Sequence, residues 1–494
     1  MRTLPRRLRT PVLALLALTT YVLLFLVARA PDPWDADAQP ALPPLYEAYH
    51  AAERGLPQHA LDAPFPDGQD AKFFWVANHA PNAGWGNALQ EHIMNAFLAY
   101  ETGRAFVFDN FTWDRDAPSP YSHYNGKPIP ARIPFSTMIA GPIMGAPFPP
   151  GSPAPRAVSR EWYERVCEGE KRVVIRTETV VTEFERYDAS VGAGVLFDKW
   201  IARLQKEDAR CVEVDEDSAL VFEIWLFGST RILDLWPALK RSPLLTHFAW
   251  SPLIHAVLHQ NAHLFFPTPF AIPVPSLPSL PENPFSRFFG KPLPAPSPPA
   301  FTLPPDFLHT ESPTDDAPIP GLLVLHVRKG DFEAHCAHLA DWASTFNGFN
   351  SFPDLPDLFT PPAGCGGGRS TEAGRVEYMA RCAPGIGAMV AKVARVRAEA
   401  GAPLTRVYVM TNAPLPWSEA LKDALRAMPG GWAAVGSSRD LVLDAEQRYV
   451  AQAADMLAGQ RAQVFVGNGF SSLTSNIVML RMAKGGDARA NRFW

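Results

Sequence analysis

Beyond its first ten residues this chain of 494 carries no block of like charges, and it contains no phosphate-binding P-loop. The formal net charge is -5 and the pI about 6.2, so nucleic-acid binding has no electrostatic support. An anionic ligand would need a local basic site. Cysteine is scarce: Cys167, Cys211, Cys336, Cys365 and Cys382 are all there are. An odd number leaves at least one unpaired if bonding is internal. Because Cys336, Cys365 and Cys382 share one region, a disulfide among them is expected.

Proline is what the chain has in excess, 51 of 494 residues, about double the usual ~5%. It clusters where regular helix and central strand are excluded. Seventeen of these prolines fall between residues 267 and 320, marking 266–320 as a connection or long insertion.

The N-terminus runs from "MRTLPRRLRT" through the uncharged "PVLALLALTTYVLLFLVA" to the acidic flank "RAPDPWDADAQP". Residues 11–28 are just long enough to cross a hydrocarbon core of ~30 Å, with arginines on the cytosolic side. This predicts a cytosolic tail over 1–10, an uncleaved type II anchor over 11–28 and a stem over 29–70, with the remainder lumenal in the endoplasmic reticulum or Golgi. Ala28-Arg29-Ala30 resembles a cleavage site, but a signal-peptide core is usually only ~7–15 residues long. Asn110-Phe111-Thr112 is a glycosylation sequon, consistent with the secretory route.

Order is expected to begin at "KFFWV", a strand. The helix-period stretch "WGNALQEHIMNAFLAYETG" follows, with Leu89, Ile93, Phe97 and Tyr100 on one face and Gly103 as its stop, and then the strand "AFVFD". This β-α-β start opens a domain over 71–265, within which 115–160 is proline-rich loop. Beyond 320 the pattern alternates regularly, from strand "LLVLHV" to helix "SSLTSNIVMLRM". Such alternation over 321–494 means a parallel, doubly wound α/β sheet. Ligands bind such sheets at the carboxyl ends of the strands, near the switch point.

The unusual residues sit there. Arg328 ends its strand in "HVRKGD", with a planar fork suited to two phosphate oxygens, the ordinary alternative being a salt bridge with Asp331. In "VFVGNGFSSLTSN" a strand turns through Gly467, Asn468 and Gly469 into a helix opening with Ser471 and Ser472, which makes a ready anion site. A serine-capped helix after a glycine turn is the ordinary alternative. Asp455 could accept from the N1–H and 2-amino group of a guanine. In "NAGWGNAL", Gly84 and Gly86 allow close backbone approach, and Asn87 offers a donor and an acceptor together.

The set "GWGN", "HVRKGD", "VMTNA" and "DMLAGQRAQVFVGNGFSSLTS" resembles the GDP-fucose-dependent O-fucosyltransferase superfamily, which includes the α1,6-fucosyltransferases. The resemblance covers residues 72–110 and 320–482. It implies a GT-B architecture of two Rossmann-like domains facing a cleft, with GDP-fucose held mainly by the second and a protein or glycan acceptor on the side of the first. It further implies that Arg328 binds the diphosphate, that His326 and Asp331 position it, that Asp455 takes the base, and that Ser471 and Ser472 take phosphates. Asn87 would lie near the reacting sugar. Trp85 and Ala88 depart from the family's usual residues, and Asn412 stands where many members carry an aspartate.

The expected chemistry is one inverting displacement without a metal cofactor. The "DED" at Asp215 to Asp217 reads as an acidic turn. His335, Cys336 and His338 lack the further spaced ligands of a zinc site. Glu91, His92 and Asp109 lie near strand ends as candidates for the general base, with no spacing that selects one. Other nucleotide sugars, or a non-catalytic binding module, are the competing readings.

Overall fold

Uninterrupted apolar runs such as "FFWV", "AFVF" and "LLVLHV" suit strands buried on both faces, and they build two five-stranded sheets that are parallel throughout. The computed structural model describes residues 42–79, 83–124, 126–152, 154–182, 191–267, 302–304, 317–330 and 332–494. Residues Pro43–Trp494 cluster as one unit.

The first sheet contains β1 (Phe73–Val76), β2 (Ala105–Phe108), β3 (Val158–Ser159), β4 (Val173–Ile175) and β5 (Cys211–Val214), in the order β3-β2-β1-β5-β4. The second contains β6 (Ile319–Val327), β7 (Arg406–Thr411), β8 (Ala434–Ser437), β9 (Ala462–Gly467) and β10 (Asn491–Phe493), in the order β8-β7-β6-β9-β10. The chain therefore crosses from one flank of β6 to the other between β8 and β9. That crossing puts the switch point at the carboxyl ends of β6 and β9.

The expected β-α-β start is present, with α2 (Trp85–Glu101) between β1 and β2 and Gly103 at φ 64° ending it. A single apolar face was expected, but α2 is enclosed nearly all round, with Gln90, Glu91, His92 and Asn95 buried as well. The reason is that α2 packs both on its own sheet and on α9 (Ser472–Ala483) of the second half. The regular alternation after 320 is also present. The sequence reading did not pick out β10, nor the helices α4 (Phe332–Asp341) and α5 (Glu372–Cys382).

Cys336 of α4 and Cys382 of α5 form a disulfide, which resolves the three-way choice, and Cys365 is free. A second disulfide joins Cys167 to Cys211 at the start of β5.

The stem expected over 29–70 is corrected in its second part. Helix α1 (Glu47–Arg54) belongs to the folded unit: Tyr46 and Tyr49 are buried, and the Tyr46 hydroxyl donates to the Glu446 carbonyl at 2.8 Å. Farther along, Arg156 pairs with Asp67 at 2.7 Å. The predicted anchor at 11–28, and the proline-rich stretch apart from 302–304 and its two ends, lie outside the described residues. Among those described, no helix is long and apolar enough to cross a membrane.

Candidate functional site

Strand β6 ends at Val327 and delivers Arg328 half-buried, its guanidinium 4.4 Å from the centre of the Phe332 ring. Neighbouring β9 ends at Gly467, turns, and enters α9 with Ser471 as the residue before its first turn. Arg328, Ser471 and Ser472 line one cavity of about 790 Å3, joined from the first half by Asn87 in the first turn of α2. The structure thus brings together four of the residues singled out in the sequence.

None of the described residues lining this cavity is acidic. Ser471 is 1% exposed, and its hydroxyl has no hydrogen-bond partner and does not cap its own helix. A buried hydroxyl without a partner costs about 1–3 kcal/mol, which a ligand oxygen would recover. It stands where the first-turn N–H groups of a 12-residue helix carry the positive end of the helix dipole. These features suit the cavity to an anion.

The turn before α9 is built for rigidity. Asn468 donates to the Cys382 carbonyl at 2.7 Å and accepts from Phe470 N at 3.0 Å, while Asn350 donates to the Gly469 carbonyl at 2.8 Å. A Cβ on Gly469 would lie 2.4 Å from the Phe346 ring, and one on Gly86 would lie 2.7 Å from Leu473 N and Ser472 Oγ. The close approach expected at Gly86 is therefore made by the chain's own α9. Asn476 seals the contact by donating to the Gly86 carbonyl at 2.7 Å. Gly84 meets nothing within 4 Å.

Several predicted site residues lie elsewhere. His326 is buried beside Thr474, with Nδ1 and Oγ1 2.7 Å apart, and burial pushes its pKa down to about 3, so the ring is neutral. It ties β6 to α9 and positions the two walls without lining the cavity. Asn468 likewise holds the turn. Asn412 is exposed and accepts from Lys329 N at 2.8 Å. Asp455 is half-buried outside the cavity lining, accepting from the Tyr408 hydroxyl at 2.7 Å and the Ser438 hydroxyl at 2.8 Å. Burial raises its pKa to about 6, against the pull of those two hydroxyls. A carboxylate has about four acceptor positions, so capacity is left over. Asp331 lies outside the described residues.

The three candidate bases do not line the cavity. Glu91 and His92 are buried inside the first half; His92 stacks on Phe135 with centroids 3.8 Å apart, and burial holds it neutral with a pKa of about 3. Asp109 pairs with Arg160 at 3.1 Å in a separate cavity of about 310 Å3. The sequon residue Asn110 is half-buried at that same cavity. Asp215 to Asp217 do form a turn, in which Asp215 accepts from Asp217 N at 3.0 Å. Among the described residues no group of three or more His, Cys, Asp or Glu side chains could hold a metal ion.

Sequence reasoning missed Arg231, Trp225 and Trp342, all on the cavity wall. Trp225 and Trp342 are 56% and 47% exposed and meet edge to face at 5.6 Å, one from each half. His335 and His338, weighed as metal ligands, instead pack against Trp342. The only available signal was Trp225 inside the apolar run "ALVFEIWLFG", an exposed aromatic being unusual in such a run.

An α/β protein with two parallel sheets and a cavity at the switch point of the second, lined by Arg328 and Ser471, is thus defined. No family model matches the chain, and no curated protein does. Among solved structures it is similar to POFUT1 in complex with GDP-fucose, at 13% identity and a TM-score of 0.45, over 86% of this chain and 97% of that one. It is also similar to apo POFUT1, at 11% and 0.42 over 88% and 99%, and to NodZ alpha-1,6-fucosyltransferase soaked with GDP-fucose, at 11% and 0.35 over 83% and 92%. At those values the likeness assigns no residue a role, and the chemistry of the cavity is derived from its own side chains.

Proposed function

We propose that the chain is a glycosyltransferase that takes fucose from GDP-fucose and transfers it to a hydroxyl of a protein or glycan acceptor. The observation that carries the reading is the cavity, without acid among its described lining residues, in which Arg328 and the unpartnered Ser471 hydroxyl meet at the start of α9. A guanidinium, a hydroxyl and a helix N-terminus converge where a diphosphate would sit. The motifs around them select GDP-fucose through the resemblance given above, with Asp455 as the reader of guanine.

The acceptor hydroxyl oxygen attacks the anomeric carbon as the bond to the β-phosphate oxygen breaks; the electron pair leaves with GDP, and the hydroxyl proton passes to the departing phosphate oxygen or to water. Arg328 and the α9 terminus meet the charge developing on that oxygen, so they bind the transition state more tightly than the ground state. Asn87, from the first half, carries a donor and an acceptor suited to orienting the reacting sugar or the acceptor hydroxyl. The two indoles at Trp225 and Trp342 suit the acceptor end. A lumenal, membrane-anchored placement belongs to the proposal, supported by the residue 11–28 run and by two disulfides of the kind that persist in an oxidising compartment.

Calorimetric titration of the full-length protein with GDP and UDP, first without metal and then with manganese, tests the reading. Binding of GDP without metal, with UDP silent, is the expected result. Equal binding of UDP would remove the guanine assignment, and no binding of either nucleotide by folded protein would leave the non-catalytic module in its place.

A further inference from the structure

The cavity has a second cation that the proposed function does not use. Arg231, from the short helix Thr230–Leu235 of the first half, lines the same wall space as Arg328. Its Nε donates to the Val191 carbonyl at 2.6 Å, which fixes the plane of the guanidinium. Its Nη2 is buried and has no hydrogen-bond partner. An arginine held by one edge with the other edge buried and unpaired is costly in the empty protein, because the charged N–H has lost water and gained nothing. The cost is offset only if something with oxygen acceptors enters.

The other arginines of the first half that face a cavity are already matched. Arg160 pairs with Asp109 at 3.1 Å and Glu164 at 2.7 Å, and Arg54 with Glu161 at 3.6 Å. Arg104 faces a wall without acid too but donates to the Ala209 carbonyl at 3.0 Å, whereas Arg231, on a wall with no acid among its described residues, keeps an N–H group unmatched.

We infer that Arg231 is a second ligand of the diphosphate, supplied by the first half, so that the bound nucleotide is clamped between Arg231 and the Arg328–Ser471 wall. The inference rests on the nucleotide-sugar reading above. It also gives nucleotide binding a mechanical consequence: the same two phosphates fasten both halves, bracing the wall from which Trp225 and Trp342 reach towards each other. An acceptor site spanning the halves is then completed by the donor.

The test uses inorganic pyrophosphate and GDP with the full-length protein, comparing wild type, Arg231→Gln and Arg231→Lys. Arg231→Gln is expected to weaken pyrophosphate about tenfold or more and to flatten its dependence on salt, and Arg231→Lys to restore part of both. The unliganded melting temperature reports only the Nε bond to the Val191 carbonyl, which Arg231→Gln also removes, so the affinities are compared at a temperature where both proteins are fully folded. Unchanged pyrophosphate affinity in Arg231→Gln, or a loss with the full salt dependence kept, would overturn the assignment. Wild-type protein that bound neither pyrophosphate nor GDP would instead overturn the nucleotide-sugar reading itself.

Discussion

Two polar cavities formed by described residues lie at the ends of parallel strands, and their charges are handled in opposite ways. In the smaller, beyond β2, Arg160 lies between Asp109 and Glu164 while its guanidinium covers Trp75 at 4.8 Å, and Glu53 takes a 2.6 Å hydrogen bond from Ser136. In the larger, beyond β6 and β9, no described lining residue is acidic, and two polar groups, Ser471 Oγ and Arg231 Nη2, are buried without partners. Other buried groups of the described residues also lack a partner, Trp75 Nε1 beneath Arg160 among them, so orphaned atoms alone do not separate the cavities. What separates them is acid: the first matches its arginine with carboxylates, whereas the second, with none among its described lining residues, suits an anion.

That contrast breaks most sharply under paired substitutions. Arg328→Ala is expected to cost about 100-fold or more in pyrophosphate and GDP affinity, a loss larger than any change in stability accounts for, because the residue serves a ligand. Arg160→Ala is expected to do the reverse, leaving nucleotide affinity untouched and lowering stability by up to about 1 kcal/mol, since its pairs are half-exposed. Calorimetry and thermal melts on the two variants would expose an exchange of these outcomes, which would mean the cavities had been assigned the wrong way round.

A smaller effect sharpens the comparison by pH. Asp455 must be ionised to accept from guanine N1–H, and its pKa is raised to about 6 by burial. Protonation as the pH falls through 6 should therefore weaken GDP several-fold beyond any change in pyrophosphate, which has no base to read. The ratio of the two affinities between pH 5 and 7.5 reports this. A flat ratio would detach Asp455 from the base.

Much of the second half was legible because its signals are local. Arg328 is marked by the strand it ends, and Ser471 by the glycine turn and helix that flank it, within a dozen residues each. Gly86 was read as allowing close backbone approach, yet what approaches it is α9, and Gly469 of that turn makes room for Phe346, contacts that only the tertiary fold supplies. Arg231 carried no signal and Trp225 only its place in an apolar run, because both sit among short helices with no sustained period, about 100 residues from Arg328 in sequence. Glu91 and His92 looked like accessible groups near a strand end because α2 reads as amphipathic, and their burial follows from first-half residues such as Phe106, Phe111 and Phe135 closing over that face. The inner part of the stem misled for a related reason: its proline-rich composition hid Tyr46 and Tyr49, which anchor it to the fold.

The most direct test is a crystal structure of the full-length protein with GDP. The account predicts the diphosphate against Arg328, with an oxygen on Ser471 Oγ and the first N–H groups of α9, and the smaller cavity beside Arg160 without nucleotide. GDP with its phosphates at Arg160, or with Ser471 still unpartnered, would contradict it.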